Sequence, residues 1–231
     1  MNPFKALMEK PWLADPRPAE AIHGGSAARM TTLKAGLWLF LAVVTALFLL
    51  LGSAYFGRMS MPDWTPLQEP RLLWLNTGLL VLSSFAMQWA ATSAHRERMA
   101  GVRAGLLTGG VLAVAFLAGQ IAAWRQLSEL GYFATQNPAY AFFYMITALH
   151  GLHITGGLVV LGAAADHAWR RDDAATMRRA ARLCAIYWHF LLVVWAALFA
   201  LMLADNSGAI HIIEYFSSLA LQLFEVGAAS Y

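Results

Sequence analysis

The chain has 231 residues, of which 59% are hydrophobic and only 13% carry a charge. A soluble domain carries about 25% charged residues, so an ordinary globular protein is excluded and a membrane protein is indicated. The single cysteine, Cys184, lies in an apolar run and rules out a disulfide framework or a cysteine-built metal site.

Residues 1–32 hold Pro3, Pro11, Pro16, Pro18 and the pair Gly24–Gly25, with no apolar stretch long enough for a signal peptide. They are predicted to form an irregular cytoplasmic arm. The next segment, 33–204, is the body of the protein. Five stretches in it lack Asp, Glu, Lys and Arg entirely: 35–57, 72–94, 104–124, 140–165 and 183–204. Each holds 21 to 26 residues, against the ~20 needed to cross the hydrocarbon core. None alternates polar and apolar with a period of two, which argues against strands. The predicted fold is all-α, a bundle of five transmembrane helices.

Within these runs, small residues recur four apart. Gly105, Gly109 and Ala113 form one ladder, Ala115, Gly119 and Ala123 a second on another face, and Thr147, Gly151 and Thr155 a third. Such ladders let helices approach closely. Trp74, Trp124, Trp169 and Trp188 fall near span ends and suit an aromatic belt. Beyond the body, 205–231 places His211, Glu214, Ser218, Gln222 and Glu225 at spacings of three or four. That draws one polar stripe and predicts a C-terminal amphipathic helix on the periplasmic side.

Orientation follows from the basic residues. Thirteen of the 16 lie in the N-terminal arm, the 95–103 loop and the 166–182 loop, and only Arg58, Arg71 and Arg125 lie opposite. By the positive-inside rule the N-terminus is cytoplasmic and the C-terminus periplasmic, in a multi-pass protein of the bacterial inner membrane. The basic 166–182 loop reads as an orientation signal touching anionic lipid, not as a nucleic-acid patch.

No acidic or basic side chain lies inside any of the five runs. Pumps and ion-coupled transporters need such groups along their paths. "TALHGLHITGGLVVLG", residues 147–162, sets His150 and His153 three apart in an otherwise apolar, small or hydroxylic run. The two are offset by ~60° on one helix and cannot clamp a single haem from opposite faces. The other intramembrane histidine, His189, stands six residues in from its span end and His153 twelve, about 9 Å apart in depth. One metal with ~2 Å bonds does not reach both without unusual tilting. Bundle-facing histidines, bonded to neighbouring helices, backbone or lipid headgroups, are expected. A b-type haem protein stays open as the enzyme-like alternative. Asn76, Thr77, Gln88 and Gln120 are polar packing residues, and no nucleotide loop, Ser–His–Asp order or CxxC is present.

Five motifs in chain order carry a family resemblance. "KAGLWLFLAV" (34–43), "LNTGLLVLSSFAMQWA" (75–90), Gln120, "HGLHITGGL" (150–158) and "YWHFLLVVWAALF" (187–199) resemble subunit III of the haem–copper oxidases in its five-span form. The resemblance implies an accessory, non-catalytic subunit without a redox centre of its own. Haem and copper are expected in the partner, catalytic subunit I, with subunit II also a neighbour and phospholipid bound in a cleft. No catalytic, cofactor or metal residue is expected in this chain. His150, His153, His189, Gln120, Trp188 and Asn76 are the residues expected to contact lipid or neighbouring subunits. The same accessory role beside a nitric oxide reductase or a quinol oxidase is the alternative. Three family carboxylates are absent: Val44, Ala123 and Leu192 stand in their places. A proton-feeding role loses its usual groups.

Overall fold

A computed structural model describes the backbone of residues 20–67, 70–171 and 174–206. It contains α1 (Glu20–Met59), α2 (Leu72–His95), α3 (Met99–Glu129), α4 (Pro138–Arg171) and α5 (Ala174–Asn206). All five are long and apolar enough to cross a membrane, over Lys34–Met59, Leu72–His95, Met99–Glu129, Pro138–Ala163 and Met177–Asp205. The protein is therefore a multi-pass helical membrane protein.

The helices outrun the uncharged runs because charges sit on their ends. In α3, Arg103 and Arg125 bracket 21 uncharged residues, which at ~1.5 Å per residue match the ~30 Å hydrocarbon core. The rest of α3 projects into the headgroups, where arginine stems snorkel. At the N-terminus, α1 begins at Glu20, so 20–32 is helical where the prolines and glycines suggested irregular chain. No proline falls after Pro18 in this stretch, and Ala21, Ala27, Ala28 and Met30 favour helix. The amphipathic helix expected in the tail lies outside the described residues from 207 onward.

The chain divides after Ala42 into two units. The first contributes the opening turns of α1. In the second, α2 packs closely against α3 and also against α5, with α4 beside α5. The Val43–Met59 part of α1 buries Val44, Phe48, Tyr55 and Met59 within the second unit. It is joined to the other helices by side chains.

Glycines explain the intimacy of α2 and α3. A Cβ on Gly105 would stand 2.8 Å from Ala86 O, Ala90 N and Ala90 Cβ, and one on Gly109 would stand 2.7 Å from Met87 Cε. A Cβ on Gly119 would overlap Asn76 Oδ1. Gly119 was expected on another face from Gly105 and Gly109, yet all three meet α2, because small offsets on the wheel still fall within the contact stripe. The third ladder splits. Thr147 is buried, Gly151 meets Leu117, and Thr155 is exposed with its hydroxyl bonded to Gly151 O. The outward faces carry large apolar side chains such as Leu82, Phe85, Val111, Val159 and Val193, as hydrocarbon solvent allows.

Candidate functional site

Polar side chains of α2 line its contact with the other helices. Asn76 and Ser83, and Thr77 and Ser84, stand seven apart, two helical turns, and Gln88 follows one turn later at the exposed edge. In hydrocarbon a polar group without a partner is costly, and each of these reaches a bond.

Three of the ties share one chemistry, with an indole N–H donating to a hydroxyl that donates onward to a backbone carbonyl. Trp188 Nε1 donates to Ser83 Oγ (2.9 Å), and Ser83 Oγ donates to Gly109 O (2.7 Å), which links α5, α2 and α3. Trp195 Nε1 donates to Thr77 Oγ1 (3.0 Å), which donates to Leu73 O (2.8 Å). Trp124 Nε1 donates to Thr147 Oγ1 (3.1 Å), which donates to Phe143 O (2.7 Å). A donor-only indole is matched each time to a hydroxyl that accepts and donates at once.

The six residues singled out in the sequence occupy different settings. Asn76 Nδ2 donates to Gln120 Oε1 at 3.3 Å, joining α2 to α3 in the core. Trp188 is 1% exposed, so it is a core anchor and not part of an aromatic belt as its position near a span end suggested. Its N–H finds Ser83 inside the bundle, which removes the reason for an indole to seek the interface. His189 bridges two side chains of α2. Its Nε2 donates to Gln88 Oε1 (2.9 Å), leaving Nδ1 to accept the Ser84 hydroxyl. His153 donates from Nδ1 to Leu149 O (2.7 Å), which sets its tautomer, and its own carbonyl accepts the Tyr187 hydroxyl (2.8 Å).

His150 is 0% exposed. Its ring packs against Trp195, Phe116 and Phe48 at centroid distances of 5.1, 5.9 and 6.3 Å, and among the described residues neither ring nitrogen has a hydrogen-bond partner. Phe48 also lies 5.5 Å from the His153 ring. The two histidines thus flank one phenylalanine of α1 and do not bond each other. Among the described residues no three of His, Cys, Asp and Glu stand where they could hold a metal ion.

One buried acid was missed. Asp205 is 2% exposed, at the outermost turn of α5. It lies one residue past the uncharged run 183–204 and is the last residue of the spanning segment Met177–Asp205. Tyr55 OH donates to Asp205 Oδ2 at 2.7 Å, and Trp64 Nε1 reaches both carboxylate oxygens at 3.2 Å. This ties α1 and the α1–α2 loop to α5. Nearby, the Arg58 guanidinium hydrogen-bonds the exposed Asp63 carboxylate and holds it below the usual carboxylate range, while Asn137 Nδ2 donates to Asp63 O at 3.0 Å. The signal available in the sequence was an aspartate flush with a span end; its partners Tyr55 and Trp64 were not.

Val44, Ala123 and Leu192, where the resemblance implies carboxylates in the family, do not share one setting. Val44 is 2% exposed and Ala123 0%, and Leu192 is half-buried.

Five spanning helices, joined by these side-chain ties, define a multi-pass helical membrane protein. Residues 6–205 match the family Cytochrome c oxidase subunit III, and the chain belongs to it. A Synechocystis protein named cytochrome c oxidase subunit 3 is 33% identical over 196 residues, 81% of this chain and 80% of its own. The Thermostichus vulcanus protein of that name is 30% identical, with 72% and 84% covered. A Pseudomonas aeruginosa protein named cytochrome bo(3) ubiquinol oxidase subunit 3 is 25% identical, with 72% and 82% covered.

Proposed function

We propose that this chain, as an accessory subunit III of a haem–copper oxidase, acts by packing: it covers a flank of the catalytic subunit and holds lipid there. Haem and copper reside in the catalytic subunit, and electrons do not pass through this chain. The observation that carries the reading is the engagement of Asn76, Thr77, Ser83, Ser84, Gln88, Gln120, Trp188, His189 and Trp195 in ties between or along the helices of this chain. The electron donor is cytochrome c or quinol. The names of the Synechocystis and Pseudomonas relatives favour one each.

Purification through a tag on this chain in mild detergent tests the reading. The catalytic subunit and its haem are expected to accompany it, and the chain isolated from them is expected to lack a Soret band. A Soret band from the isolated chain sinks the proposal and restores the b-type haem alternative. Changing His150 and His153 together to glutamine is expected to leave the haem and metal content of the complex unchanged. Loss of one haem or one metal per complex would place a ligand here.

The 13-to-3 split of basic residues supports a cytoplasmic N-terminus in a bacterial inner membrane. A reporter fused after Ala204 is expected to read as periplasmic and one in the 166–182 loop as cytoplasmic. The reverse pair of results contradicts this orientation.

A further inference from the structure

The seam between α2 and α3 carries polar atoms without partners in its buried interior. Asn76 Nδ2 donates to Gln120 Oε1. Among the described residues, Asn76 Oδ1 and Gln120 Nε2 have no hydrogen-bond partner. Covalent geometry keeps each of these orphans beside its bonded twin, so the two flank a single hydrogen bond. Both ring nitrogens of His150 are unpartnered as well. Asn76, Gln120 and His150 are 0, 2 and 0% exposed, so bulk solvent does not satisfy them.

Ring contacts bring His150 to this amide pair. Its ring lies 5.9 Å from that of Phe116, which precedes Gln120 by one turn of α3. It lies 5.1 Å from Trp195, whose indole donates to Thr77, the neighbour of Asn76. One turn beyond Gln120, Trp124 donates to Thr147, three residues before His150 on α4. Gln120 stands between these two contacts of α3 with α4 and shares their level in the bundle.

The chemistry of the orphans selects an occupant. A buried donor or acceptor left unpaired is costly. Here there is one donor, Gln120 Nε2, and there are two acceptors, Asn76 Oδ1 and one nitrogen of a neutral imidazole. A molecule that accepts once and donates twice satisfies all three. A cation has no means of accepting the Gln120 N–H, and an anion has none of donating to the acceptors. An apolar molecule satisfies nothing. Water fits.

We propose that Asn76, Gln120 and His150 hold one internal water molecule. It accepts from Gln120 Nε2 and donates to Asn76 Oδ1 and to a ring nitrogen of His150, the usual three bonds of a buried water. The water ties α4 to the α2–α3 seam. Its site lies inside this chain and does not depend on which oxidase the chain accompanies.

A cryo-EM map of the whole complex tests this, at a resolution that shows ordered water elsewhere in it. One peak is expected about 3 Å from Gln120 Nε2, Asn76 Oδ1 and one ring nitrogen of His150. Absence of that peak overturns the proposal, as does a His150 ring bonded directly to protein.

His150→Phe gives an independent reading by its sign. Phenylalanine improves on an unpaired histidine among aromatic rings, whereas removal of a water ligand strands Gln120 Nε2. The substitution is therefore expected to lower the temperature at which half of this chain leaves the complex, by about 2–4 °C. In a Gln120→Met background the stranded donor is gone, and His150→Phe is expected to lower it no further. A rise in the otherwise wild-type chain overturns the proposal, as does an equal fall in both backgrounds. Should His150→Phe yield no folded chain, the wild-type map alone decides.

Discussion

Gly105→Leu is expected to prevent this chain from assembling, with recovery of folded chain in mild detergent falling to a small fraction of wild type. A Cβ there would stand 2.8 Å from Ala86 O, Ala90 N and Ala90 Cβ. Two of those atoms are helix backbone, which cannot rotate away as a side-chain tip can. Helices α2 and α3 must separate, and the ties across their seam go with the contact: Ser83 Oγ to Gly109 O, and Asn76 to Gln120. Overpacking alone costs about 1–3 kcal/mol, and each interhelical hydrogen bond in a membrane adds about 0.6–2 kcal/mol. Together these are a large part of a typical stability of about 5–15 kcal/mol. The control is Gly78→Leu on the outer face of α2, where a Cβ meets nothing within 4 Å; recovery there is expected to match wild type. Equal recovery of the two variants would falsify close α2–α3 packing as the keystone of the fold.

The spans were legible because hydrocarbon excludes charge so strongly that five uncharged runs mark five helices. The helix ends were less so, since Arg103, Arg125 and Glu129 stay helical while their charges reach headgroups. The Gly105 ladder named its seam correctly, but not the neighbour across it, because a spacing of four says that something comes close and not what. Trp188 shows a further limit. Proximity to a span end suggests a belt, and only the partner Ser83, 105 residues away in sequence, turns the ring inward. Asp205 was overlooked for a related reason. It follows an uncharged run when counted along the chain, yet the helix continues to Asn206 and Asp205 is buried, with Tyr55 and Trp64 supplying donors from 150 and 141 residues away. The candidate residues were thus readable by type, and their partners, being remote, were not.

Removing this chain from its complex is expected to leave an oxidase with its haem and copper and near-normal initial turnover, but with a shorter life under detergent or sustained turnover. The polar interior explains the first half. Side chains that could accept or pass protons are engaged in fixed ties: His189 with Gln88 and Ser84, His153 with Leu149 O, Asp205 with Tyr55 and Trp64. His150 sits among three aromatic rings. Of the three positions where the resemblance implies carboxylates in the family, two are closed by Val44 and Ala123. The surface explains the second half. Leu82, Phe85, Val111, Val159 and Val193 present exposed apolar area, which in the packing role proposed above would cover a neighbour or its lipids. Loss of such cover exposes the partner to detergent and solvent gradually, which is a change in lifetime before it is a change in rate. Turnover is to be followed from the first seconds to full inactivation, in deletion and complemented strains, beside the haem content of each preparation. A deletion strain whose enzyme retains every cofactor and its stability, yet shows no initial turnover, refutes the packing role and places this chain in the chemistry itself.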